Sequence, residues 1–272
     1  SGNKAIGLLK PALAEADVQV RYNAAVALGM IGGKQALDLL APTVTDPEVG
    51  VRVAAATALG EIVDVAGGGS AGAAPRDNTI RQQALRLLTK LVSDQDVVVR
   101  AEAELALGRI GGDAARRLIM QAIADQNSQV KCCALLALGR IGDEAALARL
   151  EENLANKEDV DLYRHTLVAL GMTRKALALQ LINGVLADPL SSGGMKQSAA
   201  IALGVYGGDV AVAGLASLLD ADFESLRATI AFALGLASSP RGLPLLEKII
   251  HKDPFLYDAF ASLSMIGGEQ AL

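Results

Sequence analysis

Apolar and polar residues follow a helical pattern along this chain, and the pattern returns about every 31 residues. One stretch, from Lys34 to Val44, places apolar side chains three and four residues apart, which is the spacing of an amphipathic helix. An acidic turn at 45–48 follows, and a second apolar pattern then runs from Val51 to Ile62. Acidic and small polar residues end one helix and cap the next. The pattern therefore predicts pairs of helices joined by short turns.

The tripeptide Ala-Leu-Gly marks the second helix of each pair. In an eighth, degenerate copy Ser264 stands where the glycine would fall. The successive spacings between the seven glycines are 31, 48, 31, 32, 33 and 31 residues, so the long spacing equals one period plus an insertion of 17 residues. A fixed period of this length is typical of a repeat protein in which each unit packs on its neighbours. The glycines of the seven copies are Gly29, Gly60, Gly108, Gly139, Gly171, Gly204 and Gly235.

The predicted fold is all-α, a right-handed α-solenoid (superhelix) of about eight two-helix repeats that form a single domain over residues 1–272. A flexible, glycine-rich insertion is expected at 64–79 and a partial repeat at 268–272. Because neither end carries a polar cap, we expect either a portion of a longer solenoid or self-association through the ends. The repeats are expected at approximately 2–32, 33–63, 80–111, 112–142, 143–174, 175–207, 208–238 and 239–267.

The recurrent glycine lies inside a predicted helix, where it destabilises by about 1 kcal/mol relative to alanine. Alanines surround it, as at Ala24, Ala25 and Ala27. Small residues at one position of every repeat predict that the backbone of a neighbouring helix passes closely there. This position is therefore expected to serve packing.

The second helices share the pattern Asp-x-x-x-x-Val-Arg-x-x-Ala-x-x-Ala-Leu-Gly-x-Ile-Gly, best matched at Val20–Gly32, Asp94–Gly111 and Asp125–Gly142. This pattern resembles HEAT repeats of the short, phycobilisome-lyase-like type. The resemblance covers nearly the whole chain outside the insertion and implies an α-solenoid, a fold that serves many unrelated tasks. The fifth unit departs from the pattern, because Arg164 precedes its Gly171 by seven residues instead of eight.

Composition narrows the range of functions. Hydrophobic residues make up 51% of the chain, aromatic residues only 3%, and the net charge is −5. An acidic total and few aromatics disfavour a nucleic-acid binder. No apolar run is long enough to span a bilayer, so membrane insertion is not expected. Because the only cysteines are the adjacent Cys132 and Cys133, a reducing and therefore cytoplasmic location is expected.

Residues that could carry chemistry are few. His165 and His251 are the only histidines, and they lack the His-Glu pairs with which deoxyhypusine hydroxylases, another HEAT-repeat family, hold two irons. The glycines at 67, 69 and 72 satisfy G-x-G-x-x-G, but a repeated helix precedes them instead of a β-strand, which indicates a loop. Cys132 and Cys133 form either a reactive thiol pair or, as we favour, two small packing residues. No catalytic residue, cofactor site or metal site is predicted.

A basic residue recurs near the start of the second helices. These basic residues could form an exposed cationic row that binds an acidic partner. We favour the alternative, in which each base pairs internally with an acid in the turn of its own repeat or of the next repeat. Those acids, at Asp17, Asp46, Asp94, Asp125 and Asp220, recur almost as regularly as the bases. The bases are Arg21, Arg52, Arg100, Lys131, Arg164, Lys196 and Arg227.

Resemblance to HEAT arrays implies that the second helices line the concave face, where repeat proteins usually bind. Positions one, two, five and nine after the recurrent base vary between units while the packing positions repeat, which predicts a partner-binding surface. The predicted surface residues are Tyr22, Asn23, Val26, Met30, Thr57, Glu61, Glu102, Leu105, Arg109, Leu136, Arg140, His165, Met172, Gln197, Ile201, Thr229 and Phe232.

The sequence therefore favours a non-catalytic scaffold or adaptor that binds another protein or peptide segment. One alternative, suggested only by the resemblance, is a phycobilisome-lyase-like accessory protein that acts on a tetrapyrrole chromophore. A HEAT-like array that binds DNA is a weaker alternative, because it requires a basic concave face.

Overall fold

The computed structural model of the chain describes residues 2–66, 78–220, 226–252 and 257–266. The chain divides into two compact units, Ser1–Ile141 and Gly142–Leu272. Within the described ranges both units are built from helices and short turns, so the predicted all-α repeat fold is confirmed. None of the described helices is long and apolar enough to cross a membrane.

The described residues of unit 1 form four helix pairs, and a 3₁₀ helix, Ala41–Thr45, follows the third helix. Its helices are α1 Gly2–Ala12, α2 Val18–Ile31, α3 Gly33–Leu40, α4 Val49–Ala66, α5 Asn78–Leu91, α6 Val97–Ile110, α7 Gly112–Ala122 and α8 Ser128–Ile141.

Unit 2 also alternates first and second helices, with a 3₁₀ helix at Pro240–Gly242. Its helices are α9 Glu144–Leu154, α10 Val160–Thr173, α11 Ala176–Ala187, α12 Gly193–Tyr206, α13 Gly208–Asp220, α14 Arg227–Ala237, α15 Leu243–Lys252 and α16 Tyr257–Ile266.

Polar caps begin several of the second helices, as the acidic turns predict. The Asp17 carboxylate accepts a hydrogen bond from the Gln19 backbone N–H at 2.8 Å, and Asp96 accepts one from Val98 at the same distance. Such caps satisfy donors that the first helical turn leaves without a partner. At the other end of α6, Gly111 and Gly112 have φ angles of 66° and 77°, which allow the chain to reverse directly into α7.

The second helices of each unit lie side by side and make the most extensive helix–helix contacts in it. In unit 1 the contacts run from α2 to α4 to α6 to α8, and in unit 2 from α10 to α12 to α14 to α16. The leucine of Ala-Leu-Gly is fully buried in every described copy, for example Leu28, Leu59 and Leu107. The first helices pack against this row and add buried side chains such as Leu37 and Leu88. The core is therefore a continuous apolar layer between the two rows of helices in each unit.

The recurrent glycine lies where one second helix crosses the next. A Cβ built on Gly108 would lie 2.7 Å from the Cα and 2.9 Å from the Cβ of Ala137. The glycine of one Ala-Leu-Gly thus faces the alanine of the following one, and the predicted close approach of a neighbouring backbone is confirmed. The same pairing joins Gly29 to Ala58, Gly60 to Ala106, Gly171 to Ala202 and Gly204 to Ala233.

Several predictions fall on segments outside the described ranges. Helix α4 ends at Ala66 and helix α5 begins at Asn78. The outermost residues of the predicted insertion at 64–79 are therefore helical. The remainder of that insertion, including the G-x-G-x-x-G glycines, and the predicted partial repeat at 268–272 lie outside the described residues.

Candidate functional site

Three of the four recurrent bases of unit 1, all arginines, form an internal row of ion pairs. The Arg21 guanidinium donates two hydrogen bonds to Asp46, at 2.8 and 3.0 Å, and Arg52 binds Asp94 in the same way at 2.8 and 3.1 Å. Arg100 binds Asp125 at 3.0 and 3.3 Å. Each acid belongs to the turn of the next repeat. For these three arginines the internal pairing is therefore confirmed, and they do not form an exposed cationic row.

Each of these arginines also closes the turn that precedes its own helix. The Nη1 atom of Arg52 donates to the backbone carbonyls of Asp46 and Pro47 at 2.8 and 3.1 Å. Asp46 therefore anchors two successive repeats, because its side chain binds Arg21 while its carbonyl accepts from Arg52. We call the set of Arg21, Asp46, Arg52, Asp94, Arg100 and Asp125 the ion-pair ladder.

Burial and hydrogen bonding shift the pKa of the ladder acids in opposite directions. Burial alone raises the pKa of Asp94, but hydrogen bonds from Arg52 and from the Asp96 backbone, together with the nearby positive charges, outweigh it and lower the pKa below its usual value. The pKa of Asp46 and that of Asp125 are lowered for the same reasons. A lowered carboxyl pKa stabilises the fold above the unfolded-state pKa, and this stability is lost as the pH falls through the folded-state value. The ladder is thus expected to weaken only in acid.

Neutralising one ladder acid should destabilise the protein at neutral pH. In Asp94→Asn the partly buried Arg52 loses its charged partner, and we expect the free energy of unfolding to fall by about 1–3 kcal/mol. Urea unfolding at pH 7 measures the change. The control is Asp113→Asn, because the Asp113 side chain is 76% exposed in its pair with Arg116 and its loss should change stability by at most about 0.5 kcal/mol. Equal effects of the two substitutions would contradict the structural role of the ladder.

The predicted surface residues of unit 1 lie on four neighbouring second helices, and none of them is buried. Met30 is 73% exposed and Tyr22 is 37% exposed. We call this set the second-helix surface of unit 1. It contains Tyr22, Asn23, Val26 and Met30 on α2, Thr57 and Glu61 on α4, Glu102, Leu105 and Arg109 on α6, and Leu136 and Arg140 on α8.

Direct contacts join some of these side chains across adjacent helices. The Thr57 hydroxyl donates to the Glu102 carboxylate at 2.9 Å, and Arg109 lies 3.7 Å from Glu61. Both members of the Glu61–Arg109 pair keep about a third of their side-chain area exposed. The surface of unit 1 therefore combines apolar side chains with charges of both signs.

The predicted residues of unit 2 form a corresponding second-helix surface, and again none is buried. Phe232 is 40% exposed. Gln197, Ile201 and Thr229 line an open cleft of about 330 Å³ between α10, α12 and α14. The second-helix surface of unit 2 consists of His165 and Met172 on α10, Gln197 and Ile201 on α12, and Thr229 and Phe232 on α14.

One buried acid was missed by the sequence analysis. Glu104 on α6 is only 1% exposed, and its Oε2 atom has no hydrogen-bond partner. Burial, followed by the charge of Asp125, raises the pKa of Glu104 to about 8. Aligning the repeats would have revealed it, because the position four residues before the recurrent glycine is alanine or leucine in every other intact copy. Those residues are Ala25, Ala56, Leu135, Leu167, Ala200 and Ala231.

The remaining reactive side chains are arranged as packing and surface residues. Cys132 is buried, and burial together with Glu102 and Glu104 raises the pKa of the half-buried Cys133, so its thiol stays protonated at neutral pH. The His165 ring nitrogen Nδ1 lies 2.7 Å from the carbonyl oxygen of Asp161, one helical turn away. Within the described residues, no three histidine, cysteine or acidic side chains are grouped so as to hold a metal ion.

Comparisons with known proteins agree with this architecture. The family model described as HEAT repeats matches residues 6–76 and 84–171, which together exceed half of the chain. Among curated protein sequences, none matches this chain significantly.

Two similar solved structures are a complex of CpcE and CpcF of phycocyanin lyase from Nostoc sp. PCC7120 and the YibA protein of Escherichia coli. The first has a TM-score of 0.55 at 19% identity, over 98% of this chain and 94% of that chain. The second has a TM-score of 0.51 at 17% identity, over 97% of this chain and 94% of that chain. At these identities the likeness extends to the fold alone, so it adds no argument for a chromophore substrate.

Proposed function

Because this chain belongs to the family of HEAT repeats, we propose that it is a non-catalytic scaffold or adaptor that binds another protein through its second helices. The second-helix surface of each unit is a proposed contact region. A repeat array suits this task because its packing positions fix the helices while the positions between them are free to vary.

The accessibility of seventeen of the variable positions supports this proposal. At positions one and two after the recurrent base the expectation of outward-facing side chains fails in part, because Ala54, Ala101, Cys132, Thr166 and Ser198 are buried. All seventeen predicted residues remain accessible, although they lie on helices whose neighbouring positions form the buried core. Exposed aromatic and methionine side chains, such as those of Tyr22, Met30 and Phe232, are enriched where proteins bind one another. The unit 1 surface also offers Glu61 and Arg109 for polar contacts at a rim.

The charge distribution favours a protein partner over a nucleic acid. The net charge is −5, and three arginines of the recurrent row are neutralised inside the ladder. A phosphate backbone requires a row of uncompensated cations. On the second-helix surface of unit 1, acidic Glu61 lies beside Arg109 and Glu102 adds a second acid, which suits a partner of mixed charge.

A binding role without catalysis is supported by the surroundings of two side chains whose pKa is raised, Glu104 and Cys133. Glu104 is buried beneath its neighbours and cannot contact a substrate, and the Cys133 thiol is held in its weakly nucleophilic, protonated form. Both side chains are better explained by their packing.

Affinity capture with matched surface variants tests the proposal. A triple variant, Tyr22→Ala, Met30→Ala and Phe232→Ala, removes exposed apolar side chains from the second helices. The control removes exposed apolar side chains from first helices, through Leu8→Ala, Leu177→Ala and Val210→Ala. Capture from an extract of the source cells, followed by quantitative mass spectrometry, should show a loss of about ten-fold for a specific partner with the first variant only. Equal losses, or a loss only with the control, would refute the proposal.

A further inference from the structure

The fifth repeat departs from the others at the position of the recurrent base. Eight residues before the recurrent glycine, the ladder repeats carry arginine, whereas the fifth repeat carries Tyr163 and places Arg164 one residue later. Tyr163 is 1% exposed, and its pKa is raised by burial and then by the charge of Asp188 in the turn of the following repeat. Tyr163 thus occupies the inward-facing position that arginine has in the ladder repeats. It lies close to Asp188, the turn acid that would pair with such an arginine.

This exchange moves the positive charge to the surface. The Arg164 side chain is 57% exposed, whereas the ladder arginines are 11–17% exposed. Its ion pair with Asp161 is long, at 3.8 Å, and the Asp161 side chain is 71% exposed. Such a pair contributes little stability in water. The Arg164 guanidinium is therefore available to an incoming acceptor.

Arg164 lines the cleft between α10, α12 and α14 described above. Apolar side chains of Val160, Met195 and Ile201 also line this cleft, and Val160 is 62% exposed. No acidic side chain is among its lining residues in the described part of unit 2. The cleft therefore combines a cation with an apolar wall.

The first turn of α12 adds to the positive character of this cleft. Ser192 caps the helix by accepting from the Met195 backbone N–H at 3.3 Å, and Gly194 lines the cleft. A Cβ built on Gly194 would have no neighbour within 4 Å, so the cleft is open beside the backbone. The N-terminal end of a 14-residue helix carries a partial positive charge that favours an anion.

We propose that this cleft binds an acidic peptide segment of the partner, with a carboxylate on Arg164 and a neighbouring apolar side chain against Val160, Met195 and Ile201. Guanidinium and carboxylate groups form paired, charge-assisted hydrogen bonds, while the apolar wall selects acids that have an apolar neighbour. A single exposed arginine does not suit a nucleic-acid strand, which requires several phosphate contacts. This proposal rests on the proposed function and specifies the partner's chemistry at one site.

Two pools of labelled peptides test the proposal. One consists of acetylated and amidated heptapeptides that contain glutamate, leucine and phenylalanine in random order, and in the other glutamine replaces glutamate. Fluorescence anisotropy with the full chain should show binding of the glutamate pool at least about ten-fold tighter than that of the glutamine pool. Arg164→Gln should abolish this preference, and Met195→Glu, which places an acid in the cleft, should weaken binding of the glutamate pool.

The matched control is Arg149→Gln, because Arg149 belongs to the same unit, has a side chain that is 40% exposed, and pairs with Glu152 at 2.7 Å outside the cleft. This variant should retain the preference for glutamate. Equal binding of the two pools, or an unchanged preference in Arg164→Gln, overturns the proposal. If neither pool binds while the second-helix triple variant still loses its captured partner, the proposed function stands and this inference fails alone.

Discussion

Gly108→Val is expected to lower the free energy of unfolding by about 3 kcal/mol or more, the largest effect predicted for any single substitution. A Cβ on Gly108 would lie 2.7 Å from the Cα and 3.1 Å from the carbonyl oxygen of Ala137. These are backbone atoms, so a change of side-chain rotamer cannot relieve the clash. The helices α6 and α8 would have to separate, and the buried leucines beside the crossing would lose their contacts.

Urea unfolding monitored by circular dichroism measures this effect. The control is Gly184→Ala, because Gly184 lies within helix α11 and a Cβ built there meets no atom within 4 Å. That substitution removes an exposed helical glycine and should raise the free energy of unfolding by about 0.5–1 kcal/mol. A neutral Gly108→Val variant would show that the helix crossing tolerates wider spacing and that the recurrent glycine does not serve packing.

Glu104→Leu is expected to stabilise the protein by roughly 2–4 kcal/mol above pH 8. The folded-state pKa of Glu104 is about 8, against 4.5 for the ordinary side chain, so the folded protein binds the proton more tightly than the unfolded chain does. The sign follows from this difference: Glu104 makes the free energy of unfolding fall as the pH rises from 4.5 to 8, and above 8 its effect is constant. Leucine occupies the equivalent position, Leu135, in the next repeat.

The measurement is the free energy of unfolding of parent and variant between pH 5 and 9. The difference in the free energy of unfolding between the variant and the parent should grow with pH up to about 8 and then remain constant. Asp125, whose charge raises the pKa of Glu104, and Cys133, whose pKa is raised in part by Glu104, both remain in the variant. As a control, Glu158→Leu replaces an exposed acid. In this variant the free energy of unfolding should depend on pH as it does in the parent. If Glu104→Leu destabilises equally at every pH, the carboxyl group is ionised and paired in the folded protein.

Repetition made most of the fold predictable from the sequence. The tripeptide Ala-Leu-Gly occurs seven times, so the role of any one glycine could be inferred from the position of all of them. The close approach of Gly108 to Ala137 and the internal pairing of Arg52 with Asp94 follow from that regularity. The sequence did not determine whether each arginine pairs with an acid of its own repeat or of the next repeat. The choice depends on how far the arginine side chain extends across the helix crossing.

Departures from the repeat were harder to interpret. The sequence shows that Arg164 is shifted by one residue, but only the structure shows that Tyr163 takes the buried position and that Arg164 enters the cleft. Glu104 illustrates the same difficulty, since its burial is indicated only by comparison with the alanine or leucine at the same position of the other repeats. The candidate surface could be outlined because helical spacing predicts which positions face outward. Its preferred partner chemistry depends on which side chains meet across neighbouring helices, as Thr57 and Glu102 do.

Site-specific photo-crosslinking tests the central claim, partner binding through the second helices, most directly. Benzoylphenylalanine is introduced singly at Tyr22 and Phe232 on second helices, and at Leu8 and Leu177 on first helices, all of which are exposed positions. After irradiation in the source cells, mass spectrometry identifies the proteins attached to each position. The scaffold account predicts one shared partner protein at Tyr22 and Phe232 that is absent from Leu8 and Leu177. Adducts of that protein at the first-helix positions, with none at the second-helix positions, would contradict the account.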